Sequence, residues 1–175
     1  MPVSLLDELP AAATLATARL DLEPLRIDHT EEMAPLFNDQ RLHTFTGGSP
    51  ATVEELTARY ARQVVGRSAD GCQRWFNWIV RHRTSGVAVG MVQATVTGDG
   101  VGLTADVAWV IASEHQRRGY AREAAAAMAA WLRQHETGVI AAHVHPEHEA
   151  SIAVARALGL TPTDVIVDHE VRWMD

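Results

Sequence analysis

Polar and apolar residues alternate from Arg19 to Leu25, the period-two signature of a strand, with Pro24 near its end. Asp28 or Thr30 can cap a short helix that runs to about Asn38. After the Gly47-Gly48-Ser49-Pro50 loop, Thr52 and Glu55 form a capping box. The helix they open, Val53 to Val65, puts Leu56, Tyr60 and Val64 on one stripe. Trp75 to Arg81, Val87 to Thr97 and Thr104 to Ile111 read as three strands joined by short turns, hence antiparallel neighbours. The period then changes. Tyr120 to His135 is helical, with Gly138 as its stop, and Val139 to Val144 is a strand. Glu147 to Leu158 is a second long helix, ended by Gly159. Val165 to Val167 and Glu170 to Trp173 are terminal strands. A β-meander followed by β-α-β-α-β predicts an α+β (mixed α/β) fold, with helices packed on one mixed sheet.

A chain of 175 residues suits one domain spanning 1–175, with 1–16 as a leader into the fold. Hydrophobic residues at 47% and charged residues at 21% are those of an ordinary globular protein. Lysine is absent, so arginine carries the fixed positive charge against a net −7. That balance excludes non-specific nucleic-acid binding and mildly favours a cationic partner. The first residues lack the basic segment of a signal peptide, and no apolar run reaches the ~20 residues of a membrane span, so a cytoplasmic location without membrane contact is expected. Cys72, the single cysteine, reads as a small buried or half-buried residue.

The chemistry concentrates between Asp106 and Glu123. Here a strand leads into a polar turn with Arg117 and Arg118, then Gly119, then a helix. A helix N-terminus offers unpaired N–H groups and partial positive charge, glycine lets backbone approach a phosphate, and the arginines add full charge. This is an anion site of the kind that holds a pyrophosphate; the alternative is a solvated loop before a helix.

Gln116-Arg117-Arg118-Gly119-Tyr120-Ala121 resembles the Q/R-x-x-G-x-G/A motif of the GCN5-related N-acetyltransferases (GNAT). Asp106 to His115 resembles that family's fourth strand. His145 to Ser151, followed by Ala157-Leu158-Gly159-Leu160, is similar to its later N-x-x-S and x-x-G-F motifs. The form is that of the branch of ribosomal-protein N-terminal acetyltransferases. The resemblance implies a splayed sheet of about six to seven strands with about four helices, and acetyl-CoA as co-substrate. It implies acetyl transfer to a primary amine of a small molecule or a protein N-terminus. Gln116, Arg117, Arg118, Gly119, Tyr120 and Ala121 would hold the pyrophosphate, and the backbone of Val110 and Ala112 the pantetheine. Asp106 stands where the branch often carries a glutamate base, and Ser151 where its serine meets the CoA thiolate. His148 replaces the family asparagine, and Leu160 its phenylalanine. His43 and Phe45 lie in a region that commonly forms the acceptor side. A homodimer would not be unusual in the family. The competing function is a catalytically weak acyl-CoA sensor.

Other signals carry less. Trp75 and Trp78 are candidates for substrate contact, although such a cluster more often packs a strand. His143, His145 and His148 form H-x-H-x-x-H without a fixed carboxylate or cysteine partner, so no metal is expected. Gly98, Gly100 and Gly102 have no helix after them and read as a hairpin turn.

Overall fold

The computed structural model describes residues 5–175. Its strands are β1 (Leu15–Ala16), β2 (Leu20–Pro24), β3 (Gln73–His82), β4 (Ala88–Gly98), β5 (Leu103–Ile111), β6 (Thr137–Val144), β7 (Thr161–Val167) and β8 (Glu170–Met174). Its α-helices are α1 (Leu5–Glu8), α2 (Thr30–Phe37), α3 (Val53–Gln63), α4 (Tyr120–Gln134) and α5 (Glu149–Ala157). The strands form one sheet in the order β1-β2-β3-β4-β5-β6-β8-β7. Neighbours are antiparallel except β5 and β6, which run parallel. A parallel pair needs a long crossover, and α4 supplies it.

Side-chain alternation divides the sheet into two faces. Phe76, Trp78 and Val80 join Val92, Ala94, Val107, Ile140 and Ala142 under α4 and α5, where Met128, Trp131, Leu132 and Val154 complete the main core. Trp131 meets Trp78 edge-on at 5.4 Å between ring centroids. The opposite face is only partly covered. Ile79 and Met91, with Val110 beside them, pack against Met33 of α2 and Leu56 and Tyr60 of α3. Arg81 pins α2 to the sheet by donating to Glu23 at 2.8 Å and Glu32 at 2.6 Å.

The Thr52–Glu55 capping box forms in both directions. Val64 falls beyond the end of α3 and is exposed rather than part of its stripe. The sequence ends α4 at His135 with Gly138 as its stop; the helix runs to Gln134, and the reversal comes before the glycine. Glu136 takes the left-handed conformation (φ 61°), and the N–H groups of His135 and Glu136 cap the helix carbonyls of Leu132 and Arg133. Gly138 is the second residue of β6. Cys72 is exposed, because it sits in the Ser68–Cys72 turn. The stretch read as a leader is partly structured. Leu6 and Leu9 enter the main core, Trp78 donates to the Ala13 carbonyl at 2.8 Å, and β1 adds to the sheet. Met1 to Ser4 lie outside the described residues. Among the described residues, no helix is long and apolar enough to cross a membrane.

Candidate active site

The parallel pair separates part-way. β5 and β6 pair from Leu103↔Thr137, through a register shift at Thr104, to Asp106↔Ala141 and no further. Beyond that point β6 pairs only with β8, through Ala141↔Met174 to Val144↔Val171. A wedge therefore opens with Asp106 at its apex. Ala112 donates to the Val89 carbonyl at 2.9 Å, and its own carbonyl accepts from His115 at 2.8 Å. Both of its backbone groups are thus used within the chain. In an antiparallel pair, residues alternate between facing the partner and facing away. With Ala112 opposite Val89, Val110 (opposite Met91) also faces β4. This corrects the sequence assignment by one residue: the backbone of Val107, Trp109 and Ile111 points into the wedge. The Ile111 carbonyl already accepts from Gln116 Nε2 at 2.9 Å.

At the wide end of the wedge, Arg117 (φ 62°) and Gly119 (φ 79°) both take left-handed conformations, and Gly119 is the N-cap of α4. The first intrahelical bond runs from Glu123 N–H to the Gly119 carbonyl, so the amides of Tyr120, Ala121 and Arg122 have no helical acceptor. Arg19 braces the turn from behind. It donates to the Arg118 carbonyl at 2.9 Å, pairs with Glu123 at 2.7 Å and lies 4.9 Å from the centre of the Tyr120 ring. Burial pushes the Glu123 carboxyl up, but hydrogen bonds from Thr17 and Arg19 outweigh that and hold it below its ordinary range. Arg117 and Arg122 have no ion-pair partner among the described residues, and Arg118 reaches only the Glu114 carbonyl at 3.4 Å. Gln116, Arg117, Arg118 and Gly119 are exposed, whereas Tyr120 is buried beneath them.

The other wall is the N-terminus of α5. His148 is its N-cap, and its Nδ1 accepts from Ser151 N–H at 3.4 Å. An asparagine oxygen does the same at this position in other helices, so the substitution keeps a cap acceptor. Phe45 stacks on the His148 ring at 4.3 Å and lies 5.4 Å from His145. Burial, then the charge of His145, pushes the His148 pKa below its ordinary value of 6.5. Trp109 donates from Nε1 to Ser151 Oγ at 3.3 Å, linking β5 to α5 across the wedge. No local sequence pattern signals this bond, because the partners are 42 residues apart.

On the face opposite the main core, Arg172 donates to Asp106 Oδ1 at 3.0 Å, and His143 Nδ1 lies 3.9 Å from the same oxygen. Next to Asp106 in the sheet, Thr95 leads to Trp75. Trp75 lines a cavity of about 220 Å³ with Arg59, Arg62, Asn77, Gln93 and Thr95. Trp78 is not part of this face. It is fully buried on the other side of β3, because it lies an odd number of residues from Trp75. His43 Nδ1 is 3.2 Å from the Gly47 carbonyl, a contact inside its own loop. A second cavity, about 320 Å³, lies between the end of α2 and the exit of β5, walled by Asn38, Asp39, Arg41 and Ser113. Among the described residues, no three His, Cys, Asp or Glu side chains are grouped to hold a metal ion.

A wedge between parallel strands, opening onto a cationic turn at a helix N-terminus, is an acyltransferase architecture. The family model for the acetyltransferase (GNAT) domain matches residues 19–161, and the chain belongs to that family. Acetyl-CoA-dependent acetylation is general for it. Among solved structures, a GNAT acetyltransferase from Bacillus anthracis is 17% identical, with a TM-score of 0.75 and coverage of 93% of this chain and 96% of that one. An acetyltransferase from Agrobacterium tumefaciens str. C58 is 20% identical (TM-score 0.72, coverage 95% and 96%). RimL, a ribosomal L7/L12 alpha-N-protein acetyltransferase solved with coenzyme A, is 12% identical (TM-score 0.75, coverage 93% and 97%). Comparison with curated protein sequences yields no match.

Proposed function

We propose that this enzyme transfers an acetyl group from acetyl-CoA to a primary amine by direct attack on the thioester. The observation that carries the reading is the wedge with its apex at Asp106 and its mouth at the Gln116–Ala121 turn. The amides of Tyr120, Ala121 and Arg122, with Arg117 and Arg118, are suited to the pyrophosphate. The backbone of Trp109 and Ile111 is placed to bond pantetheine as an added strand would, and its N–H groups are the donors for the tetrahedral oxyanion.

The neutral amine nitrogen forms a bond to the thioester carbon, and the C–S bond then breaks. The amine proton passes to Asp106 through water, since Arg172 already occupies one carboxylate oxygen. The leaving thiolate takes a proton from the Ser151 hydroxyl, which recovers one from solvent water, while the protonated Asp106 returns the amine proton to solvent. The Trp109 bond fills an acceptor position on the Ser151 oxygen and leaves the hydroxyl hydrogen free to point into the wedge. The N-terminus of α5 adds partial positive charge beside the sulfur.

The test is calorimetry with acetyl-CoA followed by a thiol-release screen against a panel of amines. Micromolar binding and release of CoA with at least one amine are expected. An absence of binding at millimolar acetyl-CoA would reduce Gln116–Ala121 to a loop before a helix.

A further inference from the structure

The chain has 15 basic residues, all arginine, against 22 acidic ones. In so acidic a molecule an arginine finds a carboxylate easily, and most do. Arg19, Arg26, Arg41, Arg67, Arg81, Arg83, Arg133 and Arg172 all form ion pairs. Arg74 is bonded to backbone carbonyls, and Arg156 lies over the Trp173 ring. The arginines with no carboxylate or ring partner, and no carbonyl partner closer than 3.4 Å, form two groups. One is Arg117, Arg118 and Arg122 at the turn before α4. The other is Arg59 and Arg62, one turn apart on α3, both lining the 220 Å³ groove.

The groove is built to hold something polar. Asn77 lies on its floor, 7% exposed, and its side-chain amide makes no hydrogen bond among the described residues, so it is available to a ligand in the groove. Gln63 donates weakly to Gln93 Oε1 at 3.4 Å, leaving its own buried oxygen unpaired and the Gln93 amide N–H₂ available. Two guanidinium groups above amide donors match the needs of a carboxylate or phosphate oxygen set.

Gln93 and Thr95 on the floor sit directly beside Ala108 and Asp106 of β5. Strands lie about 4.8 Å apart, so the groove is one to two strand widths, roughly 5–10 Å, from the wedge. Resting on the transferase reading above, we propose that this groove binds an anionic group, a carboxylate or phosphate, carried by the amine acceptor about that distance from its nitrogen. The site thus selects against the cationic acceptor that the net charge alone suggests.

The experiment is calorimetry on protein saturated with CoA, so that no turnover occurs. Matched probes are 6-aminohexanoate against its amide, an aminoalkyl phosphate against the aminoalcohol, and a tripeptide with Glu against one with Gln at the second position. In at least one pair, the anionic member should bind at least tenfold more tightly. The Arg59→Gln/Arg62→Gln variant should abolish that difference while keeping CoA affinity, since both side chains are exposed. Which pair responds separates a small-molecule acceptor from a peptide N-terminus. Equal binding of both members in every pair, or a variant that matches the wild type, overturns the proposal. Wild-type protein that fails to bind CoA at all would instead overturn the reading beneath it.

Discussion

The turn before α4 and the groove over β4 lie on two sides of one wedge, and they are built by opposite means. The turn is a contiguous segment whose binding groups are mostly backbone amides, positioned by left-handed residues at Arg117 and Gly119. The groove draws its binding groups from side chains of α3, β3 and β4, brought together by the register of the sheet. A backbone site tolerates change in most side chains but not at the residues that set its conformation. A side-chain site keeps its shape under substitution and changes what it recognises. The two regions should therefore respond differently to mutation.

The largest effect is expected at Ser151, on the α5 wall of the wedge. Ser151→Ala should lower kcat by about 100-fold, the low end for general acid catalysis. The acetyl-CoA KM should change little, because the interaction strengthens only as thiolate forms. An unchanged kcat would remove Ser151 from proton transfer and make its bond to Trp109 a structural one.

Next is Gly119. At φ 79° a β-branched residue is strained, and an added Cβ would stand 3.3 Å from Arg19 Nη2, which braces the same turn. Gly119→Val should weaken CoA binding at least tenfold, about 1.4 kcal/mol. The Arg59→Gln/Arg62→Gln variant should leave that constant alone. A Gly119→Val protein with wild-type CoA affinity, measured by calorimetry, would erase the distinction between the two regions.

This contrast also governs what could be read from the sequence. The element order, the Thr52–Glu55 box and the turn before α4 are local, so short-range patterns disclosed them. The wedge backbone was assigned one residue off, to Val110 and Ala112, because which strand edge a residue presents depends on pairing with β4. Trp78 and Trp75 looked alike in sequence. Only the covering of one face by α4 and α5 makes the first core and the second groove. The reversal after α4 falls before Gly138 because Glu136, not a glycine, takes the left-handed turn. Arg172, Trp109, Asn77 and Arg59 were missed because their partners or neighbours are distant along the chain. The net charge pointed to a cationic acceptor, whereas the groove arginines are among those that the acidic residues leave unpaired.

The smallest effect concerns His148, which serves the α5 wall through its neutral ring. Its Nδ1 can accept from Ser151 N–H only when unprotonated. Its pKa lies below the ordinary 6.5, chiefly because Phe45 and its surroundings bury it, with the charge of His145 adding to the shift. Between the folded pKa and 6.5, the unfolded chain therefore binds more protons at this site than the folded one. The stability it contributes is present above 6.5 and is lost as pH falls toward the folded pKa. His29, 2% exposed and likewise shifted down by burial first and then by Arg26, adds a loss of the same sign. Comparison with His148→Asn isolates the α5 part, because asparagine keeps the cap oxygen and does not titrate. Thermal melts at pH 7 and pH 5 should show a larger loss in the wild type than in His148→Asn, by about 1 kcal/mol, the usual worth of an N-cap. Equal losses in the two proteins would mean that the His148 cap is not coupled to protonation and that His29 and the other titrating groups account for the acid sensitivity.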